Sequence, residues 1–525
     1  MSSDPDGRRR ALRAGLAASA LFAPAPFAWV WAQSEGAVKL LRAPKLALVM
    51  GNSAYKDAPV LKNPANDARD MAEALRTLKF NVTLVLDANR RNMQNVMRDF
   101  AQTVEASKGV GLFYFAGHGL QLAWRNYLLP VDAAIDKLDD VRQQGVDVDG
   151  LIKRLSKAAN PMNILILDAC RENPFAKDFR SRAKGLSQMD APQSTLLAYA
   201  TSPGNVASDG EGANGLYTEN LLREMKVPEA KIEDVFKRVR LGVRLKSSGA
   251  QIPWESTSLE EDFWFMPPAM LRNLSEEEKE REFREELSLW EKIRKSRDPG
   301  PFENYLRMHP SGKFSELAQL QLERALERRG EKKIAIASAE GNPFSRGTVN
   351  ANTAYRIGDA YIYRVTDLRT KVEMPQRNAI VEKITDDEVF FQNGLVTDLL
   401  GNSLRSSDGR RYSPRQQFPT EYAVGRQWHS RFTATTRAGD DEGVSDMDAK
   451  IVARERITVP AGTFDAFRIE YVGSTVFKTR TTHTRVKRWV APDQVRRGIA
   501  VEEIITAGSR VVLAERQELV SFKQL

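Results

Sequence analysis

From Lys45 onward the chain alternates short apolar runs with segments whose apolar residues recur every three or four positions, and this change of period predicts a β-α-β succession. Strands are expected at residues 46–50, 82–86, 110–116, 163–170 and 195–199, with a last one near 263–266. Helices are expected from Asn66 through Met71, Leu75 and Leu78, then at 91–104, 148–158, 217–225 and 232–245. Runs such as Val110-Gly111-Leu112-Phe113-Tyr114-Phe115-Ala116 are apolar at consecutive positions, so both faces of their sheet must be covered. The predicted class is therefore α/β, a mostly parallel sheet with helices on both faces, over residues 44–268. Sites in such sheets lie beyond the carboxyl ends of strands. Gly51-Asn52, Gly117-His118-Gly119, Cys170 and Thr201-Ser202 all stand at such ends.

Past Pro267-Pro268 the pattern changes. Ser275-Glu276-Glu277-Glu278 reads as a capping box, and Phe283, Leu287, Trp290 and Ile293 mark one face of a charged helix. With further helices near 302–308 and 314–326, residues 272–329 are expected to form a small helical spacer whose charges need only a solvated face. Residues 330–353, rich in Ala, Ser, Gly and Asn, read as a linker. From Tyr355 the period becomes two, with strands at 361–365, 389–391, 467–471 and 511–513, so residues 354–525 are expected as a mostly antiparallel β domain, a sheet or open barrel. His429 and His483 sit there as surface or packing residues, and His309 belongs to a helix-ending turn.

Length and charge bound the function. A chain of 525 residues with 42% hydrophobic content holds three or four globular units at ~100–200 residues each. Its net charge of +9 is dispersed, without the basic-aromatic patches of nucleic-acid binders, so no nucleic-acid partner is expected. The first 33 residues read as an export signal: Arg8-Arg9-Arg10-Ala11-Leu12-Arg13 precedes an apolar stretch that ends in the small-residue cleavage pattern Val30-Trp31-Ala32. The paired arginines resemble a bacterial twin-arginine address, although Ala11 stands where a bulkier residue is usual. The other reading is an uncleaved inner-membrane anchor, against which Pro24 and Pro26 break the stretch. The expected location is the bacterial periplasm, where the C-terminal β domain would meet an envelope partner.

Cys170 is the only cysteine, so it forms no internal disulfide and its thiol is available for chemistry. A thiol attacks a carbonyl well only as thiolate, which calls for a base beside it and donors for the oxyanion that follows. His118, on another strand end of the same sheet and 52 residues earlier, is the candidate base. Gly119 N–H and Cys170 N–H are the candidate oxyanion donors, and Arg171 would add positive potential. Taken singly, a lone cysteine is a small core residue and a lone histidine a hydrogen-bonded packing group. Together they read as a nucleophile and base of the kind separated by ~50 residues in caspases. The chemistry needs neither metal nor cofactor.

Several motifs carry a family resemblance. Gly117-His118-Gly119, Asp168-Ala169-Cys170, the opening at 46–55, Asn63-Pro64-Ala65-Asn66-Asp67-Ala68, Tyr127-Leu128-Leu129-Pro130-Val131-Asp132, Tyr199-Ala200-Thr201-Ser202-Pro203-Gly204 and Pro253-Trp254 are similar to the caspase-like peptidases of bacteria, relatives of metacaspases and paracaspases, over about residues 46–266. The resemblance implies a cysteine endopeptidase with His118 and Cys170 as its dyad and a protein or peptide as its substrate. It also implies that Asp168, two residues before the nucleophile, lines the pocket for the residue preceding the cut and favours Arg or Lys over Asp. The other reading of Asp168 is a capping or loop-holding acid. Asp209, in Ser208-Asp209-Gly210-Glu211-Gly212, is a candidate second pocket acid. The chain departs from the metacaspase pattern after the nucleophile, where His-Ser-Gly is usual and Arg171-Glu172-Asn173-Pro174-Phe175 stands. That puts calcium dependence in question. Lys177, Arg180, Arg182 and Lys184 lie in a stretch, 176–194, where self-cleavage is expected if the pocket takes basic residues. The alternative function is a non-catalytic caspase-like interaction scaffold in the cell envelope.

Overall fold

A computed structural model describes residues 36–170, 186–203, 205, 212–268, 274–331, 341–439 and 441–525, with Cys170 described by its backbone alone. The expected export signal, Arg171, the basic residues 177–184 and Asp209 lie outside the described residues. Among those described, no helix is long and apolar enough to cross a membrane.

The N-terminal sheet has eight strands: β1 (Lys45–Gly51), β2 (Asn81–Leu86), β3 (Val110–Leu122), β4 (Arg125–Leu128), β5 (Val146–Asp147), β6 (Met162–Cys170), β7 (Thr195–Tyr199) and β8 (Trp254–Thr257). Its order is β2-β1-β3-β6-β7-β8, with β4 and β5 branching from β3. The pairs β1/β2, β1/β3, β3/β6 and β6/β7 are parallel, and β8 closes the edge antiparallel to β7. Helices α1 (Pro64–Thr77), α2 (Arg90–Ser107), α3 (Leu138–Gln144), α4 (Val148–Lys157), α5 (Leu216–Glu224) and α6 (Ile232–Lys246) connect the strands. Tyr114 of β3 meets Thr218 of α5, whereas Gly111 of the same strand lies under Val104 of α2, so helices cover the two faces of the sheet. This is why β3 is buried without alternation from Val110 to Leu120, and why its run reads as continuously apolar.

Two expectations are corrected. The last strand is not near 263–266: Phe263, Trp264 and Phe265 are buried packing residues, with only an isolated bridge from Trp264 to Lys231, and the pairing edge is Trp254–Thr257. Trp-Glu-Ser-Thr holds one apolar residue and so carries almost no hydrophobic signal, while an aromatic triplet imitates a strand. Nor does β3 end at Ala116. It runs on to Leu122 because β4 pairs with it antiparallel, Gly119 opposite Leu128 and Leu122 opposite Arg125.

Helices α7 (Glu276–Ile293), α8 (Pro299–Met308) and α9 (Ser315–Arg328) follow. Ser275 and Glu278 form the expected capping box of α7. Phe283, Trp290, Phe302, Tyr305 and Phe314 join Tyr361, Phe391, Phe467 and Ile469 in one buried cluster, so these helices share a core with the eleven-stranded antiparallel sheet that runs from Ala360 to Lys523. Glu316 ties the two together, accepting from Thr420 N (2.8 Å), Thr420 Oγ1 (2.7 Å) and Arg426 Nη2 (2.5 Å). Burial pushes its carboxyl up, but Arg426 and the Thr420 donors outweigh that and hold it at about 2, against an ordinary 4.5. The folded pKa is depressed, so the stabilisation is complete above pH 4.5 and is lost as pH falls towards 2. Glu316→Gln is expected to cost about 3 kcal/mol in denaturant unfolding at pH 7, with the deficit against wild type shrinking over that acid window.

Residues 342–348, in the stretch expected as a linker, are hydrogen-bonded to the chain at 188–190. Asn342 Nδ2 donates to Gln188 O (2.8 Å), Asp190 N to Phe344 O (2.9 Å), and Asp190 carboxylate oxygens accept from Ser345 Oγ (2.7 Å) and Arg346 N (2.6 Å). From the other side Asn126 of β4 grips Ser187 by both its backbone N–H (2.7 Å) and its carbonyl (2.9 Å). The chain returning towards β7 is thereby held between the N-terminal sheet and the C-terminal part.

Candidate active site

The sheet register places the predicted residues. β3 and β6 run in step from Val110 opposite Met162 to Ala116 opposite Asp168, and the ladder then resumes with Gly119 opposite Cys170. Between those two pairs β3 spends Gly117 and His118 while β6 spends only Ala169, which is the two-against-one count of a bulge. The bulge leaves His118 one residue before the pair of Gly119 and Cys170. Gly117 has φ +154°, and a Cβ there would lie 2.6 Å from Tyr55 Oη, so only glycine makes the bulge. Gly119 is equally constrained by approach: its Cβ would fall 2.7 Å from Ala169 O.

His118 is 4% exposed, and its imidazole packs 4.5 Å from the ring of Tyr55, centroid to centroid. Tyr55 Oη accepts from His118 N (2.8 Å) and donates to Leu129 O (3.3 Å). His118 Nε2 lies 3.0 Å from the carbonyl oxygen of Pro59. A carbonyl oxygen only accepts, so Nε2 carries the proton of the neutral ring and Nδ1 carries the lone pair. This is the arrangement a general base needs, one nitrogen oriented by a fixed acceptor and the other basic. Tyr55 and the Pro59 carbonyl were not legible in the sequence, because any residue supplies a carbonyl and nothing local marks a tyrosine that braces a distant ring.

Asp168 is buried and accepts from Thr218 Oγ1 at 2.8 Å, whose oxygen lies 2.6 Å from Tyr114 Oη. A second carboxylate, Asp67 on the first turn of α1, is 1% exposed and accepts from Gly215 N at 2.9 Å. Burial, then the charges of Asp67 and Asp168, push the Tyr114 phenol well above its ordinary range, which puts both acids within electrostatic reach of one hydroxyl. Asp67 stands in the quoted motif at 63–68, but an acid in the first turn of a helix is so ordinary that it attracts no notice. Other strand ends serve structure. Asn52 is fully buried and holds two loops, accepting from Ala88 N (2.9 Å) and donating to Leu129 O (2.9 Å). Among the described residues no group of three or more His, Cys, Asp and Glu could hold a metal. His429 lies far along the chain and is engaged by Asp448 (2.9 Å) and Asp446 (3.1 Å), while His309 caps α8.

Residues 44–264 match the family model of the caspase domain. Over 192 residues the chain is 29% identical to mucosa-associated lymphoid tissue lymphoma translocation protein 1 of Homo sapiens and to its Mus musculus homolog. That match covers 35% of this chain and 22% of the human protein, so the chain spans about a fifth of the length of these curated relatives. Among solved structures, caspase-1 from Spodoptera frugiperda aligns with 43% of this chain and 93% of its own, at 14% identity and a TM-score of 0.34. The N-terminal unit is a caspase-like α/β domain, followed by a C-terminal antiparallel β region, and the family match supports a cysteine peptidase type of function.

Proposed function

Starting from a caspase-like domain at residues 44–264, we propose that this protein is a cysteine endopeptidase that cuts proteins or peptides after Arg or Lys through a His118/Cys170 dyad. The observation that supports the reading is the bulged register of β3 on β6, in which Gly119 pairs with Cys170 and His118 stands one residue before that pair, with Pro59 O engaging His118 Nε2. In this mechanism His118 Nδ1 takes the thiol proton and the thiolate of Cys170 adds to the scissile carbonyl carbon. The oxyanion is received by the backbone N–H groups of Gly119 and Cys170. As the C–N bond breaks, His118 returns the proton to the leaving amine. Water, deprotonated by the same ring, then releases the acid product and restores the thiol.

Asp168 and Asp67 supply the specificity in this reading. Two buried carboxylates within electrostatic reach of one hydroxyl, one of them two residues before Cys170, would reward a cationic side chain and penalise an acidic one. Expected behaviour is cleavage of Arg- and Lys-terminated fluorogenic peptides by wild type, none of the Asp-terminated peptide, and background from Cys170→Ala. Equal, background-level signal from both proteins would sink the peptidase reading and leave the scaffold. We propose further that the export signal directs the protein to the periplasm and that the basic residues between Lys177 and Lys184 are self-cleavage sites.

A further inference from the structure

Deepening the proposed Arg/Lys pocket, and resting on that reading, we infer that Thr218 and Tyr114 are its positioning residues: their two hydroxyls form a directed relay that fixes the orientation of the Asp168 carboxylate. The direction follows from proton counting. Asp168 Oδ2, as a carboxylate oxygen, only accepts, so the single proton of Thr218 Oγ1 points to it at 2.8 Å. Thr218 Oγ1 must then accept, at 2.6 Å, the proton of Tyr114 Oη. The phenol, driven well above its ordinary pKa by burial and by the charges of Asp67 and Asp168, keeps that proton at any working pH.

The three relay members come from three separate elements, Tyr114 from β3, Thr218 from α5 and Asp168 from β6, and each is at least nine-tenths buried. Each donor to a buried carboxylate offsets part of the desolvation cost of its charge and restricts rotation about its last bond. With Thr218 in place one oxygen is pinned by a short donor inside a water-poor site, where such a bond is strong. Asp67 anchors the same end of that element: Gly215, the residue capping the N-terminus of α5, donates its N–H to Asp67 Oδ1 at 2.9 Å. The helix start that carries Thr218 is thus located by one pocket acid and in turn orients the other. The relay acts through charge, so it should discriminate among substrates rather than among states of the fold.

The test compares full-length wild type with Thr218→Val, Thr218→Ser and Tyr114→Phe on Arg-terminated and Gln-terminated peptides, and measures binding of acetyl-argininamide by calorimetry. Thr218→Val is expected to raise KM for the Arg peptide and Kd for acetyl-argininamide by about ten-fold, the worth of one hydrogen bond to a charged group, with kcat within about two-fold. Its KM for the Gln peptide should not move, Thr218→Ser should restore wild-type values, and Tyr114→Phe should show a smaller loss in the same direction. A Thr218→Val protein that binds acetyl-argininamide as wild type does, or that loses Arg and Gln peptides alike, overturns the relay while leaving the pocket. Should Thr218→Val not fold, an unchanged Kd in the near-isosteric Tyr114→Phe overturns it equally. Wild type that neither cuts the Arg peptide nor binds acetyl-argininamide removes the pocket itself, a different result.

Discussion

His118→Ala is expected to lower kcat/KM for an Arg-terminated peptide by about 10²–10⁴, the usual worth of a positioned general base, without changing the melting temperature by more than a few degrees. The size follows from geometry: the ring is buried, held against Tyr55 and oriented by Pro59 O, so the basic Nδ1 is held in one orientation. Because Cys170 is the only cysteine, iodoacetamide alkylation gives a second readout that does not depend on turnover. Wild-type Cys170 should react at pH 6–7 as a thiolate paired with an imidazolium, whereas in His118→Ala its rate should rise with pH as that of a free thiol near ~8.5. Identical alkylation profiles for the two proteins would show that base and thiol do not communicate, and the dyad would fall.

The second large effect is expected from one methyl group. In Gly119→Ala the new Cβ would lie 2.7 Å from Ala169 O and 3.1 Å from both Ala169 Cβ and Leu186 Cδ2. The nearest of these is strand backbone, which cannot swing aside as a flexible side chain would. β3 and β6 must therefore part where Gly119 faces Cys170, lengthening the distance from base to thiol. A misplacement of about 1 Å costs about 10²-fold in rate, so kcat should fall by roughly that factor, with about 1–3 kcal/mol of stability lost to overpacking. Gly150→Ala is the control. Its Cβ meets nothing within 4 Å on α4, and removing a glycine from a helix should stabilise by about 0.5–1 kcal/mol with activity unchanged. If Gly119→Ala keeps wild-type kcat while folded, the close approach of the two strands is not what sets the site.

The caspase-like architecture was legible because its central strands are buried on both faces. Val110–Ala116 and Ile164–Leu167 carry unbroken apolar runs, and runs this short, repeated between helical patterns, mark strands buried on both faces. The capping box at Ser275 was legible for a similar reason, since it acts within four residues. Less was visible where an element owes its existence to a neighbour. β4, with the polar pair Arg125-Asn126, is a strand because β3 and β5 lie beside it, and β8 because β7 does. Phe263-Trp264-Phe265 misled for the converse reason, being apolar enough for a strand but lacking a partner ladder.

At the site the division is the same. The sequence alone determined which side chains are candidates for chemistry: one thiol, an acid two residues before it, and a histidine between glycines, each at the end of an apolar run. Only the tertiary structure decided that the runs are neighbours and that a bulge at Gly117 offsets them so that Gly119 faces Cys170. It also decided that His118 leans on Tyr55 and Pro59, and that Asp168 is served by Thr218 and Tyr114. Periodicity and residue type are local properties of the chain, set by backbone geometry and solvation. Register, tautomer and hydrogen-bond direction are set by atoms 50 to 104 positions away, and they exist only once the sheet has closed around them.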